Sequence, residues 1–432
     1  MPLPPGPRLQ PPLQLIGFFS RPTAFLNRCR QRYGDVFTLR MPATEPMVFL
    51  GDPDLVKAVW TRDKVNGLPE GRRVTLQPVL GPRSVLLQEG AEHLRRRRLM
   101  LPPFHGERMR RYGELMDEMT LRDIERWPLG EPFALMPRMQ LITRDVILRA
   151  VFGTRAGARE DELRRRIDDV LVRTTRASTQ LIVLAAEAAG LPRTPFHRAV
   201  RRMDDVLYAE IRDRQAATDL DEREDILSML TQARDEDGTP LDAEELRDQL
   251  VTLLLAGHET TATALAWAFD ALFRNPGVRS ELEASLGDGD EYLDAVVEET
   301  LRIRPTVPDI GRRLGEPLAL NDGTALEAGT AVFASVHLLH EREDLFPAPR
   351  AFRPERFLGD ERPSTYAWIP FGGGMRRCLG AAFAQYEMRR VLRTVLEHTD
   401  LEPATERAEP PDRRPVTVVP RHGTPAILAA RR

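Results

Sequence analysis

Two stretches of this chain combine residue types that could do chemistry. Near the C-terminus, Phe371-Gly372-Gly373-Gly374-Met375-Arg376-Arg377-Cys378-Leu379-Gly380 sets a cysteine behind three glycines and two arginines, ahead of a helical run from Ala381 to about His398. The free N–H groups of a helix start favour a thiolate, and the glycines let the backbone turn tightly and approach a flat ligand. Each part has a plainer reading: a lone cysteine is most often buried and inert, a Gly-rich run is weak support for phosphate binding, and arginines are usually solvated. The second stretch is Ala256-Gly257-His258-Glu259-Thr260-Thr261. A glycine inside a helix costs about 1 kcal/mol against alanine, and a buried acid costs more unless paired. Such interruptions mark a place against which something packs closely. A carboxylate beside a hydroxyl suits proton transfer.

These residues need elements to hold them. Asp242 and Glu245 resemble a capping box, and Asn275-Pro276 supplies a stop, so the spacing predicts a helix over Asp242 to Asn275. At 1.5 Å per residue it would be roughly 50 Å long and cross a whole domain. Further helices are expected over Arg108 to Trp127, Met139 to Phe152, Glu160 to Val172, His197 to Ala217 and Arg223 to Arg234. Val36 to Leu39 and Met47 to Leu50 read as a hairpin. Leu318 to Leu320, Ala331 to Val336 and Val416 to Val419 read as short strands among Pro and Gly. With no repeat, low-complexity tract or long linker, residues 1–432 are expected to form a single domain, mainly α with a small β portion, behind a proline-rich segment at 1–12.

Composition narrows the classes. Hydrophobic residues at 42% and charged residues at 29% describe an ordinary globular protein and exclude a disordered or collagen-like chain. A net charge of −3 gives no global pull toward nucleic acid or an anionic membrane. Every basic residue except Lys57 and Lys64 is arginine, a skew that suggests GC-rich bacterial coding. Cys29 and Cys378 stand far apart without a CxxC or Cys/His cluster, which argues against a disulfide framework and a zinc site and for a reducing, cytoplasmic location. The N-terminus lacks a signal-peptide pattern. The most apolar run, Leu250 to Phe273, is interrupted by His258, Glu259 and Asp270, so no membrane anchor is expected.

The loop Phe371 to Gly380 matches, position for position, the F-x-x-G-x-R-x-C-x-G pattern of the cytochrome P450 family, and the chain resembles that family from about residue 4 to 425. The resemblance implies haem b as cofactor, with Cys378 the axial thiolate on iron and Phe371 shielding the sulfur. Arg376, Arg312, His93 and Arg97 would meet the propionates. Gly372, Gly380, Ala256 and Gly257 would be further cofactor contacts. Thiolate ligation favours O–O cleavage. Ala256 to Thr261 resembles the oxygen-activation segment, with Glu259 and Thr260 as the proton relay and His258 structural or in the pocket wall. Glu299-Thr300-Leu301-Arg302 resembles the E-x-x-R element, and Pro354-Glu355-Arg356-Phe357 the P-E-R-F element, implying a buried triad of Glu299, Arg302 and Arg356.

On that resemblance the chain is a haem-thiolate monooxygenase that inserts one atom of O2 into a hydrophobic small molecule, with electrons from a separate ferredoxin or flavodoxin. Alternatives are a peroxide-driven peroxygenase or isomerase on the same scaffold, or a non-catalytic haem sensor. The substrate pocket should draw on Asn66 to Leu87, Thr179 to Phe196, Leu253, Ala256, Thr260 and Val307 to Ile310, with Leu181 to Ala186 as an apolar roof. Asp309 has no evident role. Arg95, Arg96, Arg98 and Arg377 are expected to dock the redox partner.

Overall fold

The computed structural model describes residues 3–42, 44–62, 66–69, 76–104, 106, 108–153, 158–174, 182–183, 186, 190, 194–360, 362–414 and 416–432. Its helices are α1 Pro11–Ser20, α2 Pro22–Tyr33, α3 Pro53–Thr61, α4 Gly90–Met100, α5 Arg108–Ile124, α6 Leu135–Phe152, α7 Ala158–Thr174, α8 Pro195–Gln215, α9 Ile226–Gln232, α10 Ala243–Arg274, α11 Pro276–Ser285, α12 Glu291–Ile303, α13 Val336–His340 and α14 Ala381–His398. The strands are β1 Val36–Leu39, β2 Met47–Leu50, β3 Pro132–Ala134, β4 Asp309–Arg313, β5 Leu318–Ala319, β6 Ala325–Leu326, β7 Ala331–Ser335, β8 Thr399–Pro403, β9 Pro411–Arg413, β10 Val418–Pro420 and β11 Pro425–Arg431. The class is mainly α with a small β portion, as expected. No helix among the described residues is long and apolar enough to cross a membrane.

Residues group into two compact units, Met1–Pro69 with Gly113–Ile142 and Thr260–Arg432, and Glu70–Tyr112 with Thr143–Glu259. Both are discontinuous in sequence, so no linker signals them.

In the first unit, a four-stranded sheet runs in the order β1-β2-β7-β4, with β2 and β7 parallel and the other pairs antiparallel. Strand β7 is buried along its whole length, which suits its uninterrupted Ala-Val-Phe-Ala run. Phe37, Phe49 and Phe333 stack at successive ring-centroid distances of 5.6 Å and tie three strands together. The proline-rich start is not a free tail. Thr38 donates from its backbone N–H to the Pro5 carbonyl (3.0 Å) and from its hydroxyl to the Pro4 carbonyl (2.7 Å). A Cβ at Gly6 would fall 1.9 Å from the Thr38 oxygen, so only glycine allows this approach. Pro11 then opens α1 at a position where a missing N–H costs nothing, so the last two residues of the proline-rich segment at 1–12 are helical.

In the second unit, the start of α10 carries the expected reciprocal cap. Glu245 N–H donates to Asp242 Oδ1 (2.8 Å), and Asp242 N–H donates to Glu245 Oε2 (3.2 Å). Helix α8 buries Phe196, Val200, Met203, Leu207 and Ile211 along one stripe.

Candidate active site

A buried polar hub in the first unit fixes the loop that carries Cys378. Glu299, fully buried on α12, receives both arms of Arg302, Nε to Oε2 at 2.6 Å and Nη2 to Oε1 at 2.7 Å. Arg356 Nε reaches Glu299 Oε1 at 3.4 Å, and the Arg353 backbone N–H donates to the same oxygen at 2.9 Å. Arg302 spends Nη1 on the carbonyls of His340 (2.9 Å) and Pro349 (2.8 Å), and its guanidinium lies 5.1 Å from the Phe346 ring centroid. The triad is therefore present, with Glu299 and Arg302 buried and Arg356 half-buried. Each partner is satisfied, the condition under which a buried ion pair specifies structure.

From the hub, two connections run to the loop. His340 Nδ1–H donates to the Arg302 carbonyl (2.9 Å), while its Nε2 accepts from the Ile369 N–H (3.1 Å), so the ring is neutral and bridges α12 to the approach of the loop. Complete burial pushes its pKa down to about 3. Trp368 Nε1 donates to the Glu298 carbonyl (3.2 Å), and its ring lies edge-on between Phe357 (5.8 Å) and Phe371 (6.2 Å).

The loop itself is built on glycine. Gly372 and Gly374 have φ of +68° and +65°, and a Cβ at Gly373 would meet Trp60 Cε3 at 2.4 Å. The chain closes where Cys378 N–H donates to the Phe371 carbonyl (2.9 Å), three residues before α14 begins after Gly380. Cys378 is exposed, whereas Cys29 is buried on α2 and its thiol is pushed up to about 11 by burial. A Cβ at Gly372 would meet Ile310 Cδ1 at 3.4 Å, so the loop packs on β4, which also carries the buried Arg312. Arg312 Nη1 donates to the Gly311 carbonyl at 3.0 Å. An exposed thiol on a glycine-built loop fits a thiolate donor to haem iron.

Thr260 opens the first unit's share of α10 and is half-buried; Thr261 beside it is buried. Thr261 hydrogen-bonds Glu387 of α14, whose carboxyl is raised well above its ordinary range by complete burial and so is held protonated.

In the second unit, Leu253 and Leu254 are buried, then Ala256 is exposed and Leu255, Gly257 and Glu259 are half-buried. A bare stretch in the middle of a long, otherwise buried helix is the opening that a flat ligand requires. Gly257 has a local reason as well, because a Cβ there would meet Ile147 Cδ1 of α6 at 3.3 Å. His258 is buried, its Nδ1–H donates to the Leu254 carbonyl (2.9 Å), and its carbonyl accepts from the Thr143 hydroxyl (3.0 Å). Burial lowers its pKa, so it stays neutral, in keeping with a structural role. On α4, His93 is buried with Nδ1–H donating to the Val85 carbonyl (2.9 Å), and Arg97, one turn on, is half-buried.

A family model described as cytochrome P450 matches residues 2–427. The chain belongs to the cytochrome P450 family. This P450 is 41% identical over 442 residues to putative cytochrome P450 135B1 of Mycobacterium tuberculosis, covering 100% of this chain and 92% of that one. It is 35% identical to putative cytochrome P450 138 of the same species, covering 99% and 97%. Among solved structures, retinoic acid-bound cyanobacterial CYP120A1 superposes with a TM-score of 0.85 at 25% identity over the whole of both chains. The heme domain of cytochrome P450DA matches in fold, with a TM-score of 0.86. Membership makes this P450 a haem-dependent monooxygenase that uses O2 and a redox partner on a small-molecule substrate.

The structure corrects the expected docking arginines. Arg95 is held by Asp235 (2.6 Å) and Glu245 (3.0 Å), and Arg96 is buried against Glu245 (2.6 Å) and Glu92. On a helix four consecutive arginines point in four directions, and three of these meet carboxylates of the same unit, with Arg96 buried against its partners. Arg98, paired with Glu236, and Arg377 remain exposed. Asp309 also finds a partner, ion-paired to Arg413 at 2.6 Å. Of the expected roof, Leu181, Leu184 and Ala185 lie outside the described residues, as does Thr179; Ile182 is exposed.

His340 and Glu387 escaped the sequence reading. Glu387 carried a signal, since a carboxylate stands on the stripe of Phe383, Met388 and Val391 that α14 buries. His340 carried none, because its partners lie 38 and 29 positions away.

Proposed function

We propose that this P450 inserts one oxygen atom into a hydrophobic small molecule by hydroxylation or epoxidation, using haem b and electrons from a separate ferredoxin or flavodoxin. The observation that carries this reading is the exposed Cys378 on its glycine-built loop, set against a second cysteine that is buried. Bound haem supplies O2 binding and activation at an iron made electron-rich by thiolate ligation. Cys378 would be that ligand, with Phe371 beside it, and Arg376, Arg312, Arg97 and His93 would answer the propionate charges. With its Nδ1–H committed to Val85, His93 could donate from Nε2 only as the imidazolium. Gly372, Gly380, Ala256 and Gly257 would let the macrocycle approach backbone. Glu259 and Thr260, consecutive on α10, would hold and pass protons, the hydroxyl donating and the carboxylate resupplying it. Their presence together favours O2-driven turnover over a peroxide-driven or isomerase reading. The relative that binds retinoic acid supports a hydrophobic ligand class.

The test is the carbon monoxide spectrum of the reduced protein. Cys378→Ser should abolish the strongly red-shifted Soret band while Cys29→Ser keeps it. The reverse pattern would overturn the assignment.

A further inference from the structure

The burial pattern of helix α1 is inverted. Leu13, Ile16 and Phe19 are 51%, 60% and 37% exposed, and Leu9 just ahead of the helix is 50% exposed, whereas the polar Gln14 is 1% exposed. Spacings of three and four put the exposed side chains on one face. That face carries no charge, since α1 reads Pro-Pro-Leu-Gln-Leu-Ile-Gly-Phe-Phe-Ser. Gln14 fixes the orientation. Its Nε2 donates to the carbonyls of Pro7 (3.2 Å) and Leu9 (2.8 Å), and its Oε1 accepts from the Arg40 N–H (2.9 Å). Phe18 is buried, its ring centroid 5.9 Å from that of Phe49, and a Cβ at Gly17 would meet Phe25 of α2 at 2.7 Å. Rolling α1 to bury its apolar stripe would strand the Gln14 amide, and buried polar groups are costly to leave unpaired.

Single exposed apolar side chains are ordinary, but contiguous ones mark a contact surface. Of the nine large hydrophobic side chains exposed among the described residues, four fall between Leu9 and Phe19, so this face is such a surface. Charge says what covers it. The first 34 residues hold five arginines and no carboxylate side chain, in a chain whose net charge is −3. Arg8 and Arg21 bracket the stripe, and α2 exposes Arg28 and Arg32; none of the four forms an ion pair among the described residues. We propose that α1 lies on the surface of an anionic phospholipid bilayer, its apolar stripe among the acyl chains and these arginines on the headgroup phosphates. Apolar helix faces edged by arginine bind in that manner. At 1.5 Å per residue the ten residues of α1 reach about 15 Å, half of the roughly 30 Å hydrocarbon core, so the helix rests in the interface and does not span. A second copy of the chain fits less well, because a two-fold contact sets the patch on itself and brings arginine against arginine. The surface uses no residue given to haem, the proton relay or the substrate pocket, so the proposal stands apart from the oxygenase reading.

Flotation of the haem-loaded protein with vesicles tests it, comparing phosphatidylcholine mixed with phosphatidylglycerol against phosphatidylcholine alone. The anionic vesicles are expected to carry the protein up the gradient. Neutral vesicles should bind at least about tenfold more weakly and added salt should erase the difference, since each arginine at an anionic surface contributes about fivefold. Leu13→Ser combined with Ile16→Ser should weaken binding about tenfold or more by removing apolar area from the stripe. Arg8→Gln combined with Arg21→Gln should weaken binding to anionic vesicles about tenfold or more and leave neutral vesicles unaffected. All four side chains are exposed, so both double variants should keep the Tm and the carbon monoxide spectrum, which separates lost binding from misfolding. Ile16→Trp should show indole emission that shifts to the blue on anionic vesicles as the stripe enters the acyl layer. Absence of flotation, equal binding to both vesicle types, or unchanged flotation in either double variant would overturn the proposal. So would a lipid-free dimer that Leu13→Ser with Ile16→Ser dissociates, because a second copy would then be the occupant.

Discussion

Mild acid should loosen the thiolate loop through His340. In the folded protein its ring is neutral, donating to the Arg302 carbonyl and accepting from the Ile369 N–H, and burial holds its pKa at about 3 against an ordinary 6.5. The folded pKa is depressed, so the stabilisation is fully present above about pH 6.5 and is lost as pH falls toward the folded value. Across that window the unfolded chain binds one more proton, and the slope is about 1.4 kcal/mol per pH unit. Between pH 6.5 and pH 5.0 the loss is therefore about 2 kcal/mol, a large share of the roughly 5–15 kcal/mol that holds a domain. Burial also lowers His258 and His337, which add to this slope, while the raised carboxyl of Glu387 opposes it because that group favours the folded state at low pH. The clean measurement is a difference. His340→Gln keeps a donor and an acceptor but does not titrate, so urea unfolding at pH 7.5 and pH 5.0 should show the wild type losing about 2 kcal/mol more than the variant. Parallel pH profiles for the two proteins would refute the neutral, bridging histidine.

Glu299→Ala should cost about 3–5 kcal/mol or haem retention, because it strands the buried Arg302 and takes the carboxylate from the half-buried Arg356; a stable, haem-replete variant would sink the hub. Thr260→Ala should keep the haem spectrum yet uncouple turnover, lowering the ratio of product formed to electron donor consumed, and an unchanged ratio would remove Thr260 from the relay. Arg98→Glu and Arg377→Glu should each slow reduction by an acidic ferredoxin and weaken its salt dependence, since both side chains are exposed. Arg96→Glu should instead lower stability, and slower reduction by a well-folded Arg96→Glu protein would restore that residue to the docking surface.

Features written in local sequence were legible, and features made by long-range pairing were not. The hairpin strands Val36–Leu39 and Met47–Leu50, the capping box of Asp242 with Glu245 and the helix from Ala381 to His398 depend on neighbours within a few residues, and all three stand where the pattern puts them. The cysteine loop was legible for the same reason, since its glycines and Cys378 act over ten consecutive positions. Arg95 and Arg96 were misread because a run of like charges says nothing about carboxylates at 235 and 245.

Asp309 shows how little is needed to change such a reading. Side chains alternate across a strand, so on β4 Asp309 and Gly311 share one face while Ile310 and Arg312 share the other. Ile310 touches the loop at Gly372, which puts Arg312 on the loop side and turns Asp309 away, to the buried Arg413. A shift of one residue in the pairing of β4 with Ser335 of β7 would exchange the two faces, leaving Arg413 without its carboxylate and setting an acid against the loop that holds the thiolate. The register of this one strand therefore sets the charge on both sides of the sheet, an arginine toward the cysteine loop and a carboxylate toward Arg413.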